Sequence, residues 1–76
     1  MWRFMPKLPV LSGADVIKAL ERLGFAQIRQ RGSHVVMRRG GFGTVVPLHK
    51  PVKTGTLAGI LRQAGVTQDE FLGAAG

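Results

Sequence analysis

Apolar residues recur at helical spacing in the stretch that follows Ser12. The apolar positions are Val16, Ile17, Leu20 and Leu23. Residues three and four apart share one side of a helix, so this pattern predicts an amphipathic helix. Ser12 suits its N-cap, with Asp15 three residues later near the positive end of the helix dipole. Gly24 can end the helix in the left-handed conformation. We expect the apolar side of this first helix to pack in the hydrophobic core, and we assign the helix no catalytic role.

A second helical pattern lies near the end of the chain. Its apolar positions are Leu57, Ile60, Leu61 and Ala64. Thr54 is the expected N-cap, and Gly65 is expected to end the helix. Thr67 and Glu70 then form a capping box that predicts a short last helix. Residues 73–76 should fray as a tail.

Three short stretches between the helical patterns are typical of strands: residues 25–30, 33–38 and 43–48. In the middle stretch Val35 and Met37 face one way, whereas His34, Val36 and Arg38 face the other. Gly40 and Gly41 are typical of a two-residue hairpin turn. The sequence therefore predicts an α+β fold: helix, three-stranded antiparallel meander, helix and short helix. Both long helices should cover one face of the sheet and leave an open face.

The length of the hairpin turn decides where the two histidines lie. With a two-residue turn, Val35 opposes Val46 and Met37 opposes Thr44 on the covered face, while His34 opposes Pro47 and His49 lies diagonally beside it. Both histidines then share one end of the open face. A bulge or a three-residue loop would place them on opposite faces.

Composition and charge narrow the function classes. The 76 residues suit a single domain, with residues 1–8 as an extended lead-in, and either Met1 or Met5 can be the native start. The sequence has no cysteine, no apolar stretch of membrane-spanning length and no signal-peptide pattern, so we expect a soluble cytoplasmic protein. Net charge is +7, and residues 22–68 contain no acid at all. A region of one charge sign attracts polyanions, above all nucleic acid.

The candidate chemistry centres on residues 29–34, where His34 follows two arginines and a glycine. A histidine exchanges protons near neutral pH, and neighbouring cations can hold a phosphate, which is sufficient for metal-free RNA cleavage. We assign proton transfer to His34. The candidate RNA- and phosphate-binding residues are Arg29, Arg31, Gly32, Ser33, Arg38, Lys50, Lys53 and Thr54. The last two open a helix whose free N–H groups can bind phosphate, although capping alone also explains Thr54.

Other chemistries fit the sequence less well. Ser33 and His34 are neighbours on a strand and point to opposite faces, so they should not act as nucleophile and base. Two histidines without cysteines or an acid cluster make a poor metal site, so we predict activity that survives chelation.

An ordered set of motifs covers about residues 5–72. The motifs are Leu-Ser-Gly at 11–13 with Val-Ile-Lys-Ala-Leu at 16–20, Leu-Gly-Phe at 23–25, Arg-Gly-Ser-His at 31–34, Val-Pro-Leu-His at 46–49, and Thr-Gly-Thr-Leu at 54–57 followed by Ile-Leu at 60–61 and Ala-Gly at 64–65. Taken together, they resemble HicA-type toxins. The extension at residues 2–4 and the short hairpin at Gly40 and Gly41 depart from the family pattern.

The resemblance implies a double-stranded-RNA-binding-domain-like fold. It also implies a cofactor-free, translation-independent mRNA interferase of a type II toxin–antitoxin pair, active in stress response. A HicB-type antitoxin would cover the catalytic histidine, which falls on His34; His49 matches a recurrent histidine and is an auxiliary candidate. Two alternatives stay open: a non-catalytic double-stranded-RNA-binding module, which binds through shape and phosphates, and a pure protein-interaction module.

Overall fold

Three helices and one three-stranded sheet make up the computed structural model, which describes residues 8–75. The elements follow in the order α1 (Gly13–Arg22), β1 (Ala26–Arg31), β2 (His34–Arg39), β3 (Phe42–Pro47), α2 (Thr54–Ala64) and α3 (Gln68–Ala75). The strands pair antiparallel in the order β1-β2-β3. The predicted α+β architecture is confirmed, whereas residues 1–7 of the predicted lead-in lie outside the described residues.

The core lies between the helices and one face of the sheet. Val35, Met37, Thr44 and Val46 are buried on that face, as the strand alternation predicts. The helices contribute Leu20, Leu57, Leu61 and Phe71, all almost completely buried. Because apolar burial of this kind is the main stabilising term in folding, these residues hold the sheet against the helix layer. The opposite face carries His34, Val36 and Arg38 of β2 with Val45 and Pro47 of β3, and we call it the open face.

The ends of the two long helices confirm two predicted caps and correct a third. In α1 the backbone N–H of Asp15 donates to Ser12 Oγ at 3.2 Å, as predicted. In α2 the predicted N-cap is wrong: Lys53 holds that position without a side-chain cap, and Thr54 is the first helical residue. The helix begins one residue early because the N–H of Leu57 donates to the carbonyl of Lys53 at 2.9 Å. Gly65 ends α2 with φ 68°, as predicted.

The last helix is longer than the sequence suggests. Residues 73–75, predicted to fray, form the final turn of α3. The guanidinium of Arg22 donates to the carbonyl of Ala74 at 2.7 Å, and Ala74 and Ala75 pack against the core. These contacts with α1 replace the interactions that an isolated helix end lacks.

The predicted capping box at the start of α3 is present. Thr67 N–H donates to Glu70 Oε1 at 2.9 Å, and Glu70 N–H donates to Thr67 Oγ1 at 3.1 Å. The backbone and side-chain hydrogen bonds from Thr67 lower the pKa of Glu70 below its usual 4.5. A carboxyl whose pKa is lower in the folded state stabilises the fold above its unfolded pKa, and this contribution is lost as pH falls through the folded value.

Acid should therefore weaken the docking of α3 through Glu70. We expect the free energy of unfolding to fall below pH 4.5 in the parent, and part of this fall to disappear in Glu70→Gln. Urea denaturation between pH 3 and 7 measures it, with Asp69→Asn in the same helical turn as the matched control. Identical pH profiles for the parent and Glu70→Gln would contradict the assignment.

Candidate active site

The strand register brings the two histidines together. Arg39 pairs with Phe42 across the two-residue turn, so His34 pairs with Pro47 on the open face. His49 follows two residues after Pro47, and its ring centroid lies 6.5 Å from that of His34, with the rings inclined at 66°. Both histidines are exposed. The predicted register is confirmed, and so is the placement of both histidines at one end of the open face.

A β-bulge decides which side chains β1 adds to this face. Gln27 pairs with Met37, but the next pair is Arg29 with Val36, because the ladder skips Ile28. Had the ladder continued without a bulge, Ile28 would oppose Val36 and both arginines of β1 would lie on the helix side. The bulge instead places Arg29 and Arg31 on the open face. The bulged Ile28 is 57% exposed, so it contributes little to the core.

Arg31 is the cationic residue that the register places beside His34. The two residues pair directly across the β1–β2 turn, so their Cβ atoms lie about 5 Å apart. Arg29 pairs with Val36, one position further along the same face. Arg38 shares the open face but follows His34 by four residues along β2, so the two residues lie about 13 Å apart. The predicted binding set therefore splits into a cluster around His34 and a separate arginine towards the hairpin.

The turn between β1 and β2 is held through its carbonyl groups. Gly32 has φ 55°, a left-handed conformation that favours glycine. Its carbonyl accepts from Gln30 Nε2 at 2.9 Å, and the Ser33 carbonyl accepts from the Leu48 N–H at 2.6 Å. The second bond ties the turn to the chain segment that leads into His49.

The main chain around His49 is fixed on both sides. Its carbonyl accepts from the N–H of Gly13 at 2.9 Å, which ties it to the first residue of α1. Three residues later, Val52 donates to the Leu11 carbonyl at 2.7 Å in an isolated β-bridge. The segment between β3 and α2 is thus held against the start of α1, and this positions the His49 side chain.

Gly13 is a structural requirement of the site that the helical pattern does not reveal. A Cβ at this position would clash with the carbonyl oxygen of Pro47 and lie 2.8 Å from Cα of Leu48. Both atoms belong to the backbone, so neither can rotate away. Only a contact between α1 and the end of β3, distant in sequence, makes glycine necessary here.

Gly13→Ala should destabilise the protein by about 1–3 kcal/mol, the usual range for overpacking. Alanine is favoured over glycine in helices by only about 0.5–1 kcal/mol, so the steric term dominates. Urea denaturation measures the change, with Gly55→Ala as control, because a Cβ at the first turn of α2 meets no atom within 4 Å. Equal stability of Gly13→Ala and the parent would contradict the close approach.

Some basic residues hold parts of the protein together, and others are exposed to solvent. Arg39 donates to the Leu23 carbonyl at 2.7 Å and lies 4.6 Å from the Phe25 ring centroid, a cation–π contact. Arg22 is bound to α3, as described above. The other exposed cations of the described residues are Lys18, Arg29, Arg31, Arg38, Lys50, Lys53 and Arg62.

All four acids of the chain belong to the helix layer. They are Asp15 and Glu21 of α1 and Asp69 and Glu70 of α3. The open face therefore joins histidines and arginines without a carboxylate, an arrangement suited to phosphate.

Other predicted features of the site stay predictions. Within residues 8–75, no three side chains among His, Cys, Asp and Glu come together as metal ligands would. The start of α2, with Lys53 and Thr54, has no side-chain cap, which is compatible with a phosphate there. No helix in this part of the chain is long and apolar enough to cross a membrane.

Comparison with protein families identifies a match that covers most of the chain. The sequence model of a family described as HicA toxin of bacterial toxin-antitoxin systems matches residues 13–66, well over half of the chain. A search among curated proteins finds no match. The matched segment runs from Gly13 through both histidines to the end of α2.

Proposed function

The chain belongs to the HicA toxin family and is the toxin of a toxin–antitoxin pair, and we propose that it acts as a metal-independent endoribonuclease that cuts mRNA without needing translation. The observation that carries the proposal is the open face. There an exposed histidine lies between an arginine on β1 and a second histidine beyond β3, and the acids of the chain lie on the helices.

The proposed reaction uses the 2′-hydroxyl of the RNA as the nucleophile. Its oxygen attacks the adjacent phosphorus while the bond from phosphorus to the 5′-oxygen breaks, which leaves a 2′,3′-cyclic phosphate and a 5′-hydroxyl. One proton leaves the attacking oxygen and one joins the leaving oxygen, so the proton count balances. His34 is proposed as the essential histidine for proton transfer, a role in which a general acid or base forms a hydrogen bond to the proton that it moves.

The arginines around His34 stabilise the negative charge of the phosphoryl group. Arg31 is the direct neighbour of His34, and Arg29 follows on the same face, so these two are the groups to hold the phosphate being cut. Arg38, about 13 Å along the strand, suits a phosphate further along the RNA. Lys50, Lys53 and Thr54 add binding sites beyond His49, and Gly32 and Ser33 let the backbone approach the RNA closely.

The antitoxin is proposed to be a HicB-type protein that covers the His34 face. The open face is the side of the sheet that the protein's own helices leave uncovered, and its charges are positive. An acidic surface on the partner would complement those charges and exclude RNA at the same time. Both proteins would meet in the cytoplasm, where mRNA is available.

Expression and cleavage together test this function. The purified chain should cut single-stranded RNA in the presence of EDTA, and its expression in a bacterial host should arrest growth. The competing interpretation is a non-catalytic double-stranded-RNA-binding module, favoured by the basic face alone. Binding of A-form RNA without cleavage, together with normal growth, would support that interpretation and contradict ours.

A further inference from the structure

We propose that His49 is the second proton-transfer group of the site, so that the cleavage uses a pair of histidines on opposite sides of the phosphorus. The inference rests on the proposed ribonuclease function and identifies the partner that His34 needs. In-line displacement places the attacking and leaving oxygens roughly opposite each other, so one group cannot easily serve both.

The two rings are close enough for one phosphoryl group to lie within reach of both. A proton-transfer nitrogen lies about 2.6–3.2 Å from the oxygen it serves. The centroids of His34 and His49 are 6.5 Å apart, and the rings meet at 66°. A phosphoryl group bound beside the pair on the open face can therefore contact both rings. The rings take part in none of the side-chain hydrogen bonds found within residues 8–75.

No other described residue near His34 suits the role. Arginine keeps its proton in proteins, so Arg29 and Arg31 bind charge without exchanging protons. The carboxylates belong to α1 and α3, in the helix layer behind the sheet. Ser33 lies in the turn before β2, and its hydroxyl does not change charge between pH 5 and 8 as an imidazole does. His49 is therefore the group near His34 that can exchange a proton close to neutral pH.

The backbone holds His49 in place without using its side chain. The bond from Gly13 N–H engages the His49 carbonyl, and the bridge between Leu11 and Val52 anchors the residues that follow. Such fixed placement is what proximity catalysis requires, since small displacements of a catalytic group are costly. Because the side chain is exposed, His49→Ala should keep the fold and the carbonyl bond.

In the proposed step one histidine, as the neutral ring, takes the proton of the 2′-hydroxyl as its oxygen bonds to phosphorus. The other, as the protonated ring, gives its proton to the 5′-oxygen as the bond from that oxygen to phosphorus breaks. After the step the first histidine is protonated and the second is neutral. Proton exchange with solvent then restores the starting protonation state of both rings. No metal, cofactor or further reactant enters the balance.

A leaving-group experiment separates proton transfer from simple binding. The site cut by the parent is first mapped on an RNA oligonucleotide in EDTA. The same oligonucleotide is then made with sulfur in place of the bridging 5′-oxygen at that position, because a thiolate leaves without protonation. The parent, His34→Ala, His49→Ala and His49→Gln are compared on both substrates, with Gln68→Ala as an exposed control and circular dichroism as the check on folding.

We expect both His49 variants to cut ordinary RNA about 10²–10⁴-fold more slowly than the parent, the usual contribution of a general acid or base. One of the two alanine variants, and only one, should recover on the sulfur substrate, and that variant identifies the acid. Cleavage by His49→Ala within about threefold of the parent would overturn the pair, as would equal losses on both substrates for both variants. If the parent cuts no RNA, this result contradicts the proposed ribonuclease function, and the proposed role of His49 is contradicted together with it.

Discussion

The His34→Ala protein should fold like the parent and cut RNA about 10²–10⁴-fold more slowly, the contribution expected of a positioned acid or base. The side chain is exposed at the start of β2, so its removal leaves no cavity. Its backbone pairs with Arg31 and Pro47 do not depend on the ring. Loss of the imidazole therefore removes proton transfer and little else.

Single-turnover cleavage in EDTA measures this effect, with thermal unfolding and RNA affinity recorded on the same preparations. The unfolding temperature and the affinity should stay near those of the parent, and expression of His34→Ala should no longer arrest growth. Gln68→Ala is the control for the effect of replacing an exposed side chain by alanine outside the site, since Gln68 lies exposed on α3. Cleavage by His34→Ala at the parent's rate would remove His34 from the mechanism.

The second large effect concerns the two arginines that the bulge places beside the histidine. Arg29→Ala combined with Arg31→Ala should weaken RNA binding and reduce its dependence on salt. Each phosphate contact with a single strand contributes about 0.7 to the slope of log affinity against log salt concentration, so two lost contacts lower the slope by about 1.4. The free energy of unfolding should change little, because both side chains are exposed.

A matched variant separates local contact from overall charge. The double variant Lys18→Ala with Arg62→Ala also removes two positive charges, but from exposed positions on α1 and α2. This control should leave the salt slope close to that of the parent. Titration of labelled single-stranded RNA at several salt concentrations compares the two double variants. Equal slopes for both would show that binding depends on net charge and not on the open face.

The sequence was sufficient to predict the sheet and the meeting of the histidines. Strict alternation in β2 identifies the covered face, and Gly40 with Gly41 sets a two-residue turn. Together they determine the register, and the register places His34 beside Pro47 and near His49. These features depend on local residues alone, which is why the sequence reveals them.

The features that escaped prediction depend on contacts between distant parts of the chain. Gly13 must be glycine only because the end of β3 lies against it. Residues 73–75 stay helical because Arg22, on α1, binds the carbonyl of Ala74. The start of α2 differs by one residue because Lys53, and not Thr54, accepts the first helical bond.

The bulge at Ile28 has a partial signal in the sequence. Apolar and polar residues alternate imperfectly in β1, and no regular register satisfies all of them. The pattern alone does not say which residue is skipped, and this choice decides whether Arg29 and Arg31 join the open face. Pairing with β2 settles it in favour of the open face.

One substitution in the substrate distinguishes attack of the 2′-hydroxyl on the open face from every mechanism that does not need this group. An RNA oligonucleotide with a single 2′-deoxy nucleotide at the mapped position is incubated with the parent in EDTA beside the unmodified oligonucleotide. We expect no cut at the deoxy position, and a 2′,3′-cyclic phosphate with a 5′-hydroxyl on the products of the unmodified RNA. Cleavage at the deoxy position at the unmodified rate would contradict this mechanism.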